Sequence, residues 1–287
     1  MMAWRSHESV VVAAHNPKGG GMPSQTHIRL AATLLAVSMT LEVTLLAGIN
    51  SIPDPLYHGL HLLFMAGVIA SQLTLYWRSR GRPQARLALW FGAGMLLTAA
   101  GDYINGALSS VQPVSLKLTW ALFLFGAGYI LYNLALWTHC NGQLRRQQSG
   151  FARRRHLVAI PVLAVNVASW FLHVKANLTG MDTLLYGSFI FNATIYVMMP
   201  TLGFWYFLAS RQGIGGLVVL IGTILVPYSD LVLFGSWLRG GDPAVPSFQL
   251  YACNWILYFG GQALLSLFPA LVLAAPDDTV TITGQPS

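Results

Sequence analysis

Apolar residues come in blocks of about 20 along this chain, separated by short polar stretches that hold most of the charges. A block of that length crosses a hydrocarbon layer as a helix. No period-2 alternation of the kind that builds outer-membrane strands is present, and lipid offers an open backbone no hydrogen-bond partners, which leaves helices. The fold class is therefore all-α, a polytopic integral membrane bundle. Eight spans are predicted, at about 29–49, 56–77, 87–108, 116–138, 157–174, 184–209, 215–235 and 248–273. They form one transmembrane domain over 27–275, between a polar N-terminal segment (1–26) and a polar C-terminal tail (276–287). Residues 1–26 lack a compact apolar core followed by a small-residue cleavage site, so the first span is expected to serve as its own anchor.

Composition agrees: 55% of the 287 residues are apolar and 9% charged. The net charge of +7 would suggest nucleic acid in a soluble protein. Here the basic residues instead follow the loops. All of the 16 Lys and Arg except Lys117, Lys175 and Arg239 fall on one side of the predicted membrane, densest in "RRQQSGFARRR" (Arg145 to Arg155). By the positive-inside rule both termini are cytoplasmic. That cluster is a topology signal that can also touch anionic headgroups, and no nucleic-acid partner is expected.

Three acids interrupt the apolar blocks: Glu42, Asp102 and Asp230. An ionised carboxylate facing lipid is costly, so each should face the bundle interior, be paired, or carry a proton. No Lys or Arg lies at comparable depth. At 1.5 Å per residue, Asp102 lies about 24 Å along its helix from Arg86 and Asp230 about 21 Å from Gly216. Both helices rise from the same side, so the two carboxyls are expected at one height. Polar neighbours recur at helical spacing. Thr98, Asp102 and Asn105 share a face of the third span, and Asn254, Tyr258 and Gln262 a face of the last; Tyr129, Tyr132 and Asn133 come from the fourth, Asn192 and Tyr196 from the sixth. Such stripes also serve as plain hydrogen-bonding seams between membrane helices. Pro227, just before Asp230, is expected to kink its helix or widen the bundle there. His58 and His61 stand three apart, read as a polar helix entrance rather than a metal site, and Cys140 and Cys253 have no metal or disulfide spacing.

The segments "LALWFGAGMLLTAAGDYING", "FLFGAGYILYNLALW", "IYVMMPTLGFWYF", "GTILVPYSDLVLFGSW" and "NWILYFGGQALLSL" resemble, in order and spacing, the YhhN-type lysoplasmalogenases. The matching positions are Gly101-Asp102, Ser229-Asp230, and Tyr258 with Gln262. Where that family usually has a His followed three residues later by Tyr, this chain has Tyr129 and Tyr132. Where it has a Lys-Pro entering its second helix, this chain reads "LYHGLHLLF", which marks a divergent member. The resemblance implies hydrolysis of a lysoplasmalogen-like vinyl ether to an aldehyde and a glycerophospho-alcohol. Asp102 and Asp230 would be catalytic. Glu42, Asn105, Tyr129, Tyr132, Asn133, Tyr196, Ser229, Asn254, Tyr258 and Gln262 would contact substrate or water. The expected partners are a lipid or isoprenoid-like substrate and the membrane lipids, and no cofactor or metal is called for. Two other readings use the same acids: a terpene cyclase that protonates an olefin or epoxide among aromatic faces, and a proton-coupled transporter.

Overall fold

A computed structural model describes residues 54–106, 114–146, 155–175, 178, 182–210, 213–237 and 248–275, with isolated positions between 29 and 40. The described elements are helical. They are α1 (Asp54–Ser79), α2 (Ala85–Gly106), α3 (Val114–Arg146), α4 (Ala159–His173) after a short 3-10 turn, α5 (Asp182–Phe191), α6 (Val197–Ala209), α7 (Ile214–Trp237) and α8 (Phe248–Ala274). Six helical stretches are long and apolar enough to span a membrane: 59–79, 85–104, 119–143, 184–209, 214–231 and 253–274. The chain is thus an integral membrane protein. The predicted fifth span is a shorter apolar helix, and the predicted first span, with Glu42, lies largely outside the described residues.

Five helices close a ring: α2 packs on α3, α3 on α6, α6 on α7, α7 on α8, and α8 back on α2. Outside it, α1 covers α2 and α8, and α4 leans on α6. Between lipid-soluble helices burial from water supplies little drive, so close approach and interhelical hydrogen bonds do the joining. At the crossing of α2 and α3 the small residues are Gly94 and Gly128. A Cβ on Gly128 would lie 2.7 Å from the Gly94 carbonyl oxygen and 2.7 Å from Thr98 Cγ2. Gln72 ties α1 to α8 by donating to the buried Ser266 carbonyl at 2.9 Å. The turn between α1 and α2 needs Gly81, at φ 104°, and its neighbour Arg82 donates to the Leu273 carbonyl at the end of α8.

Three helices of the ring carry an internal proline, Pro200 in α6, Pro227 in α7 and Pro269 in α8. α7 runs on as helix through Pro227. In the 182–209 stretch the helix instead widens to a π turn over Asn192–Tyr196 before α6, which contains Pro200. The cause is local: the ring of Pro200 crowds the carbonyl four residues back, that of Tyr196, and it has no N–H to offer it. One loosened turn relieves both problems. It also carries Tyr196 and Asn192, both buried, and sets Tyr196 against Asp230.

His61, read from the sequence as part of a polar entrance, is buried instead. Its ring stacks on Trp255 with centroids 4.4 Å apart and lies 4.8 Å from Phe259. The imidazole fills that aromatic gap as a flat ring. The side chain of His58 lies outside the described residues.

Candidate active site

Asp230 sits late in α7 and is 4% exposed. Two phenols hold it: Tyr129 of α3 donates to its Oδ2 at 2.6 Å, and Tyr196 of the π turn donates to the same oxygen at 3.1 Å. The carboxyl is thereby fixed from two neighbouring helices of the ring. No described residue forms an ion pair with it.

Asp102, late in α2, is held differently. The residue is half-buried, and its Oδ2 is enclosed without a hydrogen-bond partner. The Tyr258 hydroxyl of α8 is also enclosed without one. The Tyr258 hydroxyl faces the Asp102 carboxyl, short of the geometry of a formed hydrogen bond. An enclosed polar atom with no partner costs about 1–3 kcal/mol, so Asp102 and Tyr258 are poised to gain from a polar group brought between them.

Below the carboxyls a second network crosses the ring. Tyr132 donates to Gln262 Oε1 at 2.9 Å, and the Gln262 amide nitrogen reaches Thr98 Oγ1 at 3.5 Å. The Thr98 hydroxyl lies 3.5 Å from the Tyr132 hydroxyl and donates to the Met95 carbonyl at 3.1 Å. This triangle joins α2, α3 and α8, and it sets the ring orientation of Tyr132, a helical turn from Tyr129. Aromatic faces complete the walls: Phe125 packs against Tyr129 and, edge to face, against Tyr258, and Trp255 lies against Tyr258.

The remaining predicted residues divide. Asn133 is buried with neither amide atom bonded, and Asn254 is buried with its Oδ1 unpartnered. Ser229 is fully buried and donates to the Val226 carbonyl of its own helix at 2.7 Å, which leaves it only as an acceptor. Asn192, paired with Tyr196 by spacing, turns away and donates to the Asn166 carbonyl of α4 at 3.0 Å. The side chains of Asn105 and Glu42 lie outside the described residues. Sequence reasoning put Thr98 on the stripe without naming it as a site residue. Its place one turn before Asp102 on the same helix face was the available signal.

The arrangement is two carboxyls, each late in a helix of the ring, Asp230 buried and clamped by two phenols, Asp102 half-buried with one enclosed oxygen. Two such carboxyls can divide the roles of proton donor and carboxylate, because interacting carboxyls do not readily ionise together. No curated protein and no solved structure matched the chain. A family model, that of the YhhN family, matches residues 60–268, more than half of the chain. That match takes in both aspartates, the tyrosines that clamp Asp230 and the Tyr258 and Gln262 positions, and the chain belongs to the YhhN family.

Proposed function

We propose that the protein is a membrane-embedded acid/base hydrolase of the lysoplasmalogenase type, cleaving the vinyl ether of a lysoplasmalogen-like lipid. The observation that carries this reading is the unequal pair: Asp230 clamped by two phenols, and Asp102 with a free enclosed oxygen. Vinyl ether hydrolysis needs a proton delivered to the β-carbon of the double bond, and Asp102 is the group free to deliver it. The resulting oxocarbenium ion is balanced by the Asp230 carboxylate, whose position the two tyrosines fix. Water then adds to the cationic carbon and gives up its proton to a carboxylate. The hemiacetal so formed collapses with a proton returned to the ether oxygen, releasing aldehyde and alcohol. The division of labour parallels that of the glycosidase carboxyl pair, where one group delivers a proton and the other stabilises the cation. Tyr258, Gln262 and Tyr132 position the ether oxygen and water.

The test is incubation of the purified protein with a lysoplasmalogen and mass spectrometry of the products. Aldehyde and glycerophospho-alcohol in equal amounts are expected. Unchanged lipid, under conditions where the protein is folded, would overturn the reading. The aromatic walls around the acids favour one second reading, a cyclase in which Tyr and Trp faces stabilise a carbocation. Cyclisation leaves the substrate's formula unchanged while hydrolysis adds water, so the same measurement separates the two.

The proposed orientation places both termini in the cytoplasm, from the one-sided distribution of basic residues. A reporter fused in the loop near Arg153 is expected to read cytoplasmic. A periplasmic or luminal signal there would reverse the topology.

A further inference from the structure

Tyr196 has work on both sides. Its hydroxyl holds Asp230, while the residue also lines an apolar cleft together with Leu122 of α3, Trp170 of α4, Leu184 and Phe191 of α5, and Leu231, the residue after Asp230. The polar groups of that wall are already engaged. Ser188 accepts from Trp170 Nε1 at 3.1 Å and donates to the Leu185 carbonyl at 3.0 Å, and Asn192 donates to the Asn166 carbonyl. What the cleft presents is hydrocarbon. The helices that form it, α4 and α5, are exposed and apolar on their other faces at Phe171, Leu172, Tyr186 and Ile190. In a bilayer those faces meet lipid.

A vinyl ether is the first bond of its chain, and the carbon to be protonated is the second chain carbon. When that carbon is at the acid pair, the rest of the chain must leave the polar interior. The groups that cross the ring at Thr98, Tyr132, Gln262 and Tyr258 are hydroxyls and amides, poor neighbours for a run of methylenes. The cleft is apolar and meets the acid site at Tyr196 and Leu231. Resting on the hydrolase reading, we propose that this cleft binds the hydrocarbon chain of the substrate, entered sideways from the bilayer between α4 and α5. Tyr196 is the partition that stands between the chain and the Asp230 carboxylate. The π turn that carries it is the element that gives way as the chain passes, since its bonding pattern departs from that of the α-helix on either side. A chain moving from lipid into the cleft exchanges one apolar environment for another, so fit selects the chain and hydrophobic drive does not.

The test uses the full chain in proteoliposomes with a lysophospholipid that carries a diazirine at the far end of its chain. Photolysis followed by peptide mapping is expected to place adducts on the cleft residues around Trp170, Leu184 and Phe191. Leu184→Trp, which fills the cleft, is expected to cut those adducts at least tenfold. Leu122→Trp fills it from the opposite wall and gives the same reading if the first variant folds poorly, with the thermal midpoint of each recorded. Adducts confined to the lipid-facing Phe171, Tyr186 and Ile190, or unchanged by both substitutions, would overturn the proposal. The crosslink needs no turnover. Cleft adducts without hydrolysis would sink the reaction and keep the chain site, whereas hydrolysis without cleft adducts would do the reverse. Among substrates, filling the cleft is expected to lower kcat/KM for long chains at least tenfold more than for short ones.

Discussion

Asp230→Asn and Asp102→Asn are each expected to lose about a hundredfold to ten-thousandfold of turnover, the usual contribution of a general acid or base, while the protein still folds. Asparagine keeps the size of the side chain and part of its hydrogen bonding. It can neither release an acidic proton nor supply the negative charge that balances an oxocarbenium ion. A purely structural aspartate gives another signature. Losing one interhelical hydrogen bond in a membrane bundle costs about 1 kcal/mol of stability, so rate would survive while the thermal midpoint fell. The double variant is expected to be little worse than either single one, because the two groups act as a unit. Tyr258→Phe, which removes a hydroxyl that faces Asp102, is expected to be milder. Near wild-type turnover by both folded Asn variants would end the acid-pair mechanism.

The second large effect is expected from a single methyl group. Gly128→Ala places a Cβ 2.7 Å from both the Gly94 carbonyl oxygen and Thr98 Cγ2, too close without moving backbone. Separating α2 from α3 draws Thr98 away from Tyr132 and Gln262, so activity and stability are expected to fall together, with overpacking costing about 1–3 kcal/mol. Gly142→Ala on the same helix is the control. Nothing lies within 4 Å of its Cβ position, and in a helix alanine is favoured over glycine by about 1 kcal/mol. Thermal melts in one detergent should therefore move in opposite directions. Equal shifts would mean that the crossing is looser than its geometry.

Much of this was legible in the linear pattern, and the boundary between what was and was not has physical causes. Helices must satisfy their own backbone in lipid, so run length and helix position are tightly linked; that is why α2, α3, α7 and α8 fall close to their predicted spans. The stripe of Asn254, Tyr258 and Gln262 is buried for the same periodic reason. Tertiary pairing is another matter. That Tyr129 and Tyr196 meet on one oxygen of Asp230 depends on how α3, α6 and α7 cross, which no spacing within one helix encodes. The π turn had a signal in Pro200, but where a proline's strain is released depends on the packing around it. His61 shows the limit from the other side: a titratable residue near a helix start reads as polar, and only the neighbouring Trp255 and Phe259 make its site aromatic.

The Asp230 clamp also bears on what the protein can refuse. A carboxylate fixed from two helices would, when ionised, give the interior a negative potential in a medium that screens poorly. Phosphate entering that space would meet repulsion from the groups that attract a developing cation. On the proposed hydrolase reading, the headgroup of a phospholipid substrate would stay at the rim, and only the glycerol ether and the chain would come within reach. Such an interior sorts molecules by the bond they carry inward and is nearly blind to the headgroup left outside, so ethanolamine and choline lipids of equal chain length should be accepted almost alike.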